Sequence, residues 1–152
     1  FVPEQVVELL AEHENLAAIK ESSADVRRVA ALRALAGHRL KILVGVDDLI
    51  FEAAMAGAVG WIAGLVNAFP AESVALFDAS IRGDRERAFE LYKWFLPLLR
   101  MDTVPKFVQL IKLVQEEVGM GSARVRGPRL ELTGAELAEA KAVIATALAT
   151  RP

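Results

Sequence analysis

The chain has 152 residues, of which 54% are apolar and 25% charged, and its formal net charge is −2. This is the length of one domain with enough apolar side chains to build a core, which excludes a disordered chain. No cysteine is present, so disulfides and thiolate metal sites are excluded; no basic run points to nucleic acid, and no apolar run reaches the roughly 18 residues of a membrane span.

Phe1-Val2-Pro3-Glu4 has neither a basic region nor an apolar stretch, so it does not read as a signal peptide. It lacks an initiator methionine and stands just ahead of a helix, so it reads as the middle of a longer protein. Pro3 suits a first helical turn, and Val6, Leu9, Leu10 and His13 then share one helical face. Leu16 to Ile19 reads as a short buried strand ending at Lys20. Asp25 caps a helix running to about Ala36, which Gly37 ends. Leu40 to Val44 is a second strand, stopped by Gly45. Asp47 or Asp48 opens a short helix through Met55, closed by Gly57. Val59 to Ala63 is a third strand, followed by a loop from Gly64 to Pro70 and a helix from Ala71 to Ile81.

These strands are short and apolar throughout, without polar alternation, as parallel strands covered on both faces are. Their regular exchange with helices predicts an α/β fold, the last three βα units of a partial (β/α)8 barrel. Three strands cannot close a barrel of eight, so the remaining strands are expected outside this chain.

The rest is helical. Asp84 caps a helix with Ala88, Leu91, Phe95 and Leu99 on one face, and Pro97 is expected to kink it. Phe107, Leu110, Ile111, Val114 and Val118 form another stripe, and Gly119 to Pro128 is a Gly- and Arg-rich loop. Thr133-Gly134-Ala135-Glu136 reads as a capping box before a last helix that buries Leu137, Ala140, Ile144 and Leu148. The expected division is residues 1–82 as barrel material and 83–152 as a helical extension.

Chemistry in a barrel sits at the C-terminal strand ends. Lys20 ends the first strand. Burial there would lower its pKa and free the neutral amine that attacks a carbonyl carbon; alternatively, it ends an edge strand and reaches to water. Gly45-Val46-Asp47-Asp48 ends the second strand, where the carboxylates either meet a substrate hydroxyl or cap the following helix. Two adjacent carboxylates with no histidine nearby are a poor metal set, so no metal is expected. Ile62-Ala63-Gly64 ends the third; Gly45 and Gly64 either admit a ligand close to the backbone or simply turn the chain. His13 and His38 read as structural or solvated, Tyr92 and Trp61 as packing residues, and Arg124, Arg126 and Arg129 as a solvated loop or an oligomer contact.

Taken together, Ile19-Lys20-Glu21-Ser22-Ser23, Gly45-Val46-Asp47-Asp48 and Gly60-Trp61-Ile62-Ala63-Gly64-Leu65-Val66-Asn67 resemble the pyruvate-type aldolase family that includes dihydrodipicolinate synthase and N-acetylneuraminate lyase. The Gly83-Asp84 break and Leu96-Pro97-Leu98 extend the likeness over essentially the whole chain, though only over the later part of the family fold. Where synthases usually carry Asn-Pro-x-Pro, this chain has Asp102 to Pro105; with Val118 to Leu130, that version looks most like Δ1-pyrroline-4-hydroxy-2-carboxylate deaminases of bacterial hydroxyproline breakdown.

The resemblance implies that Lys20 forms a Schiff base with C2 of a small 2-keto acid or cyclic imine acid, without a cofactor. It implies that Ile62 lines the pocket near the substrate carboxylate, and that Gly45, Asp47 and Asp48 contact the distal part of the substrate. Gly64 replaces a serine of the sialic acid lyases, which argues against a polyhydroxylated sugar acid. The family's upstream Thr-Thr motif and tyrosine relay have no match here, so the chain by itself is expected to be inactive. It further implies a cytoplasmic homo-oligomer, a homotetramer, with no nucleic-acid or membrane partner. Two other readings stand beside it: a pyruvate–aldehyde aldolase of the synthase type, and a non-catalytic subunit that completes a barrel with another chain.

Overall fold

The computed structural model describes residues 1–152. Its elements run α1 (Pro3–Glu12), β1 (Ala18–Glu21), α2 (Val26–Ala36), β2 (Lys41–Val44), a 3-10 turn at Asp47–Leu49, α3 (Ile50–Met55), β3 (Gly60–Trp61), a 3-10 turn at Leu65–Asn67, α4 (Pro70–Arg82), α5 (Arg85–Leu99), a 3-10 turn at Arg100–Thr103, α6 (Phe107–Glu117) and α7 (Gly134–Ala149). The strands form one parallel sheet in the order β1-β2-β3, with Lys20 opposite Leu43 and Leu43 opposite Gly60. The chain is thus mixed α/β, rich in helix, with a small parallel sheet as the βα exchange predicts.

Local chemistry accounts for most boundaries. The Asp25 carboxylate accepts the Arg27 N–H at 3.0 Å and caps α2, and that of Asp84 accepts the Arg87 N–H at 3.2 Å and caps α5. Gly83, at φ +76°, takes the left-handed turn that ends α4, a conformation without penalty only for glycine. Pro97 lies in the last turn of α5 and the helix continues to Leu99, because a proline there forfeits a single hydrogen bond near the end of the ladder.

Three expectations need correction. First, β1 is displaced to Ala18–Glu21 and is not a buried strand: Ala18 and Lys20 are exposed and only Glu21 is buried. As an edge strand it has β2 on one side only. Second, the sheet is covered mainly on one face. Ile42 and Val44 of β2 are buried, while Lys41 is exposed and Leu43 half-buried, so an apolar run was not evidence of two covered faces. Third, Thr133 is the N-cap of α7 but its side chain makes no capping bond. Glu136 turns instead to Lys106 across the α6–α7 junction, where a longer-range cation wins the carboxylate. The third strand is also shorter than expected, although the Val59 N–H donates to Ile42 O and the Ile62 N–H to Val44 O at either end of it.

The core lies between the sheet and the helices. Phe69 stands edge-on to Phe95 with ring centroids 5.6 Å apart, and Trp94 stacks on Phe95 at 5.0 Å, joining α4, α5 and, through Trp94 Nε1 donating to Ala147 O, α7. Arg33 of α2 closes the far end. Its guanidinium donates to Gly57 O at 2.7 and 3.1 Å and to Leu40 O at 3.4 Å, holding the turns before β2 and β3. Arg33→Ala is expected to lower unfolding free energy by about 2 kcal/mol, the scale of charge-assisted bonds to half-buried carbonyls, read as a reduced urea midpoint at unchanged slope.

Candidate active site

The C-terminal ends of β1 and β2 open onto a cleft of about 650 Å³, walled opposite by the turn at Arg100–Thr103 and the start of α6. Lys20, Ser22, Gly45, Asp48 and Asp102 face it, and Lys20 is the sole amine among its lining residues. The strand register brings Lys20 beside Leu43, two residues before Gly45. A β-carbon on Gly45 would fall 2.4 Å from Lys20 Cε and 1.9 Å from Ser22 Oγ. The absence of a side chain at Gly45 therefore makes room for both, which is a stronger requirement than a tight turn.

Asp48 lines the cleft with its carboxylate 3.8 Å from the Arg100 guanidinium. Its carbonyl accepts the Tyr92 hydroxyl at 2.7 Å, and the same hydroxyl reaches Glu52 Oε1 at 3.1 Å. Tyr92 is buried, as its helical stripe predicts, but it is also a tether between α5 and the Asp48 loop. Burial and the neighbouring Glu52 carboxylate push its phenol well above the usual range, so it acts as a fixed donor.

Asp47 occupies a different place. It is fully buried, and its two carboxylate oxygens accept the Gly64 N–H at 3.0 Å and the Leu65 N–H at 2.7 Å. The side chain ties the end of β2 to the turn after β3, and it meets the cleft only through the neighbouring Asp102 carboxyl. Burial pushes its carboxyl up to about 6, against the pull of the Leu65 N–H, and the nearby Asp102 carboxylate adds to the rise. Ile62 is exposed on the sheet beyond β3, and Gly64 sits against Asp102 and Ile111; neither lines the cleft around Lys20. Among the six residues expected at the site, Lys20, Gly45 and Asp48 are brought together, while Asp47, Ile62 and Gly64 lie behind or beside them.

Asp102 was not among the expected site residues. It is half-buried in the cleft wall, and burial raises its carboxyl above the ordinary range while the Asp47 backbone N–H and Lys20 draw it back. The available signal was its place at the head of the Asp102 to Pro105 motif, but motif position alone did not tell which strand end it would face. Ser22 and Ser23 have no histidine at hand, since His13 and His38 are exposed elsewhere. No group of three or more His, Asp or Glu side chains is arranged to hold a metal, and no helix is long and apolar enough to cross a membrane.

A parallel βα array with a lysine at a strand end, opposed by a carboxylate on a later helical turn, defines the class: an α/β chain with a lysine-centred cleft. The chain belongs to the dihydrodipicolinate synthetase family, which it matches over residues 1–147. It is 33% identical over 139 residues to the 4-hydroxy-tetrahydrodipicolinate synthase of Geotalea daltonii, covering 89% of this chain and 46% of that protein. It is 33% identical over 148 residues to the synthase of Geotalea uraniireducens, covering 95% and 49%. Among solved structures, the 4-hydroxy-tetrahydrodipicolinate synthase of Methylacidiphilum fumariolicum superposes with a TM-score of 0.90 at 25% identity, over 97% of this chain and 49% of that one. Dihydrodipicolinate synthase of Aquifex aeolicus superposes with a TM-score of 0.87 at 25% identity, over 95% and 49%. The chain therefore spans about half the length of the relatives it matches.

Proposed function

We propose that this chain supplies the Schiff-base half of a lyase acting on a small 2-keto acid or cyclic imine acid, with Lys20 as nucleophile. The observation that carries this reading is the cleft: one amine, at the end of a parallel strand, packed against a glycine that leaves it room. The Lys20 amine adds to C2 of the substrate. With a keto acid, the new C–N bond forms as the carbonyl oxygen leaves as water; with a cyclic imine, the ring nitrogen leaves C2 and takes the proton. No redox change occurs in either case. The cationic imine then withdraws electrons from the adjacent carbon.

The exposure of Lys20 in this chain means that its surroundings here do not provide the burial expected from the sequence. We assign that burial, together with the substrate anchor and proton relay, to barrel strands outside these residues. On this reading residues 1–82 are the last three βα units of a (β/α)8 barrel, residues 83–152 are its helical extension, and the chain alone is inactive. Asp48 contacts the distal end of the substrate, with Asp47, Ile62 and Gly64 shaping that end once the barrel is complete. The assembled enzyme is a cytoplasmic homo-oligomer.

For the substrate, Asp102 to Pro105 in place of Asn-Pro-x-Pro supports the deaminase: Δ1-pyrroline-4-hydroxy-2-carboxylate would yield 2-oxoglutarate semialdehyde and ammonia. The names of the relatives favour a second reading, condensation of pyruvate with an aldehyde. Assay of the whole protein decides between them: ammonia released from the pyrroline supports the first, and consumption of pyruvate only with an aldehyde supports the second. Borohydride reduction in the presence of substrate, followed by peptide mass mapping, tests the shared step, and an adduct on any residue other than Lys20 would overturn it. Gly45→Ala is expected to slow adduct formation on the order of 10²-fold, since its methyl must displace the Lys20 side chain from its track.

A further inference from the structure

Asp102 stands opposite Lys20 across the cleft, on the turn that follows α5. Its surroundings are specific. A β-carbon on Gly64 would lie 3.0 Å from Asp102 Oδ1, so Gly64 fixes how close the carboxylate can stand to the β3 end. Asp47 lies behind it, immobilised by the Gly64 and Leu65 N–H groups. The charged groups that face Asp102 are Asp47 and Asp48 from the turn after β2 and Lys20 from β1. Asp48 is partly neutralised by Arg100, and Lys106 at the start of α6 is engaged by Glu136. Lys20 is thus the cation left to Asp102, whose carboxylate otherwise meets only the Asp47 backbone N–H and the Asp47 carboxyl.

We infer that Asp102 is the counter-ion of the cationic imine formed on Lys20, positioned by Gly64 and backed by Asp47. The inference rests on the imine reading above and adds a role for the carboxylate that lines the same cleft. A carboxylate facing a protonated imine favours the charged form, as an opposite charge within several ångströms favours any cation. The protonated imine is the electron sink, so Asp102 extends to higher pH the range over which the adduct is reactive. Of the two neighbouring carboxyls, Asp47 is the one driven toward its protonated form, and its hydrogen bonds favour the charged form of Asp102, whereas burial and the like charge of Asp48 oppose it until the imine cation arrives. Asp102 thereby acts through Lys20 as a positioning residue, with no bond made or broken at its own atoms.

The test uses the whole protein with pyruvate and cyanoborohydride, which reduces the protonated imine, across a pH series. Adduct on Lys20 is quantified by mass spectrometry, and folding is followed by circular dichroism. Unsubstituted protein and Asp102→Glu are expected to share one alkaline limit of trapping. In Asp102→Asn the limit is expected about one pH unit lower, an approximately tenfold loss of protonated imine just above it. Gly64→Ala, which keeps every carboxylate but displaces Asp102, is expected to lower the limit in the same direction. An Asp102→Asn adduct with an unchanged limit overturns the counter-ion and leaves the imine standing. Absence of any Lys20 adduct in the unsubstituted protein overturns the imine reading and this inference with it. If Asp102→Asn does not fold, an unchanged limit in Gly64→Ala overturns the counter-ion.

Discussion

Replacing Lys20 with alanine is expected to abolish borohydride-trapped adduct in the whole protein, leaving only background label, while the stability of this chain changes by less than about 0.5 kcal/mol. The two halves of that expectation have separate causes. Lys20 is the sole amine lining the cleft, so no neighbour can take over the attack on carbon. Its side chain is also exposed on an edge strand of this chain, outside its hydrogen-bond and ion-pair networks, so its removal opens no cavity. A variant that still accumulates adduct would remove Lys20 from the mechanism. A variant that unfolds would show that Lys20 is structural in the complete barrel.

Asp47→Ala is the counterpart: a large structural effect at a residue whose sequence position suggested substrate contact. The substitution removes both acceptors for the Gly64 and Leu65 N–H groups, and Leu65 is fully buried. Two stranded donors cost on the order of 3 kcal/mol, which a urea titration at pH 5 would register as a lower midpoint. The effect should depend on pH in an unusual direction. Burial raises the folded carboxyl to about 6 from an ordinary 3.8, so the native state holds the proton more tightly than the unfolded chain. The contribution of Asp47 is fully present below about 4 and is lost as pH rises through about 6. The deficit of Asp47→Ala is therefore expected to narrow between pH 5 and pH 8. A deficit that widens over that interval would mean that the two N–H groups stabilise the carboxylate more than burial penalises it.

The order of the strands was legible in the sequence because each is followed by a local break, although the exact ends of the first and third were not. Lys20 interrupts an apolar run, Gly45 stops the next, and Gly64 follows the third. The helices were legible from caps and apolar stripes, and the parallel order was read from short apolar strands exchanging regularly with helices. Tyr92 illustrates the limit. Its stripe placed it in the core correctly, but its hydroxyl meets the Asp48 carbonyl 44 residues away, and no local pattern encodes that partner.

What the sequence by itself determined was the βα alternation, the end of the second strand and the family likeness, all of which rest on local periodicity, turn chemistry and ordered motifs. What only the tertiary structure decided was which side chains share the cleft. Asp47 and Asp48 are adjacent in sequence, yet one is locked on two backbone N–H groups and the other faces Lys20, because neighbouring residues on a turn project in different directions. Asp102 reaches the same cleft from a helical turn far along the chain, through packing that no spacing rule describes. The burial of Lys20 could not be settled by its apolar neighbours either. A strand is buried by what lies on both its sides, and within these residues β1 has β2 on one side alone.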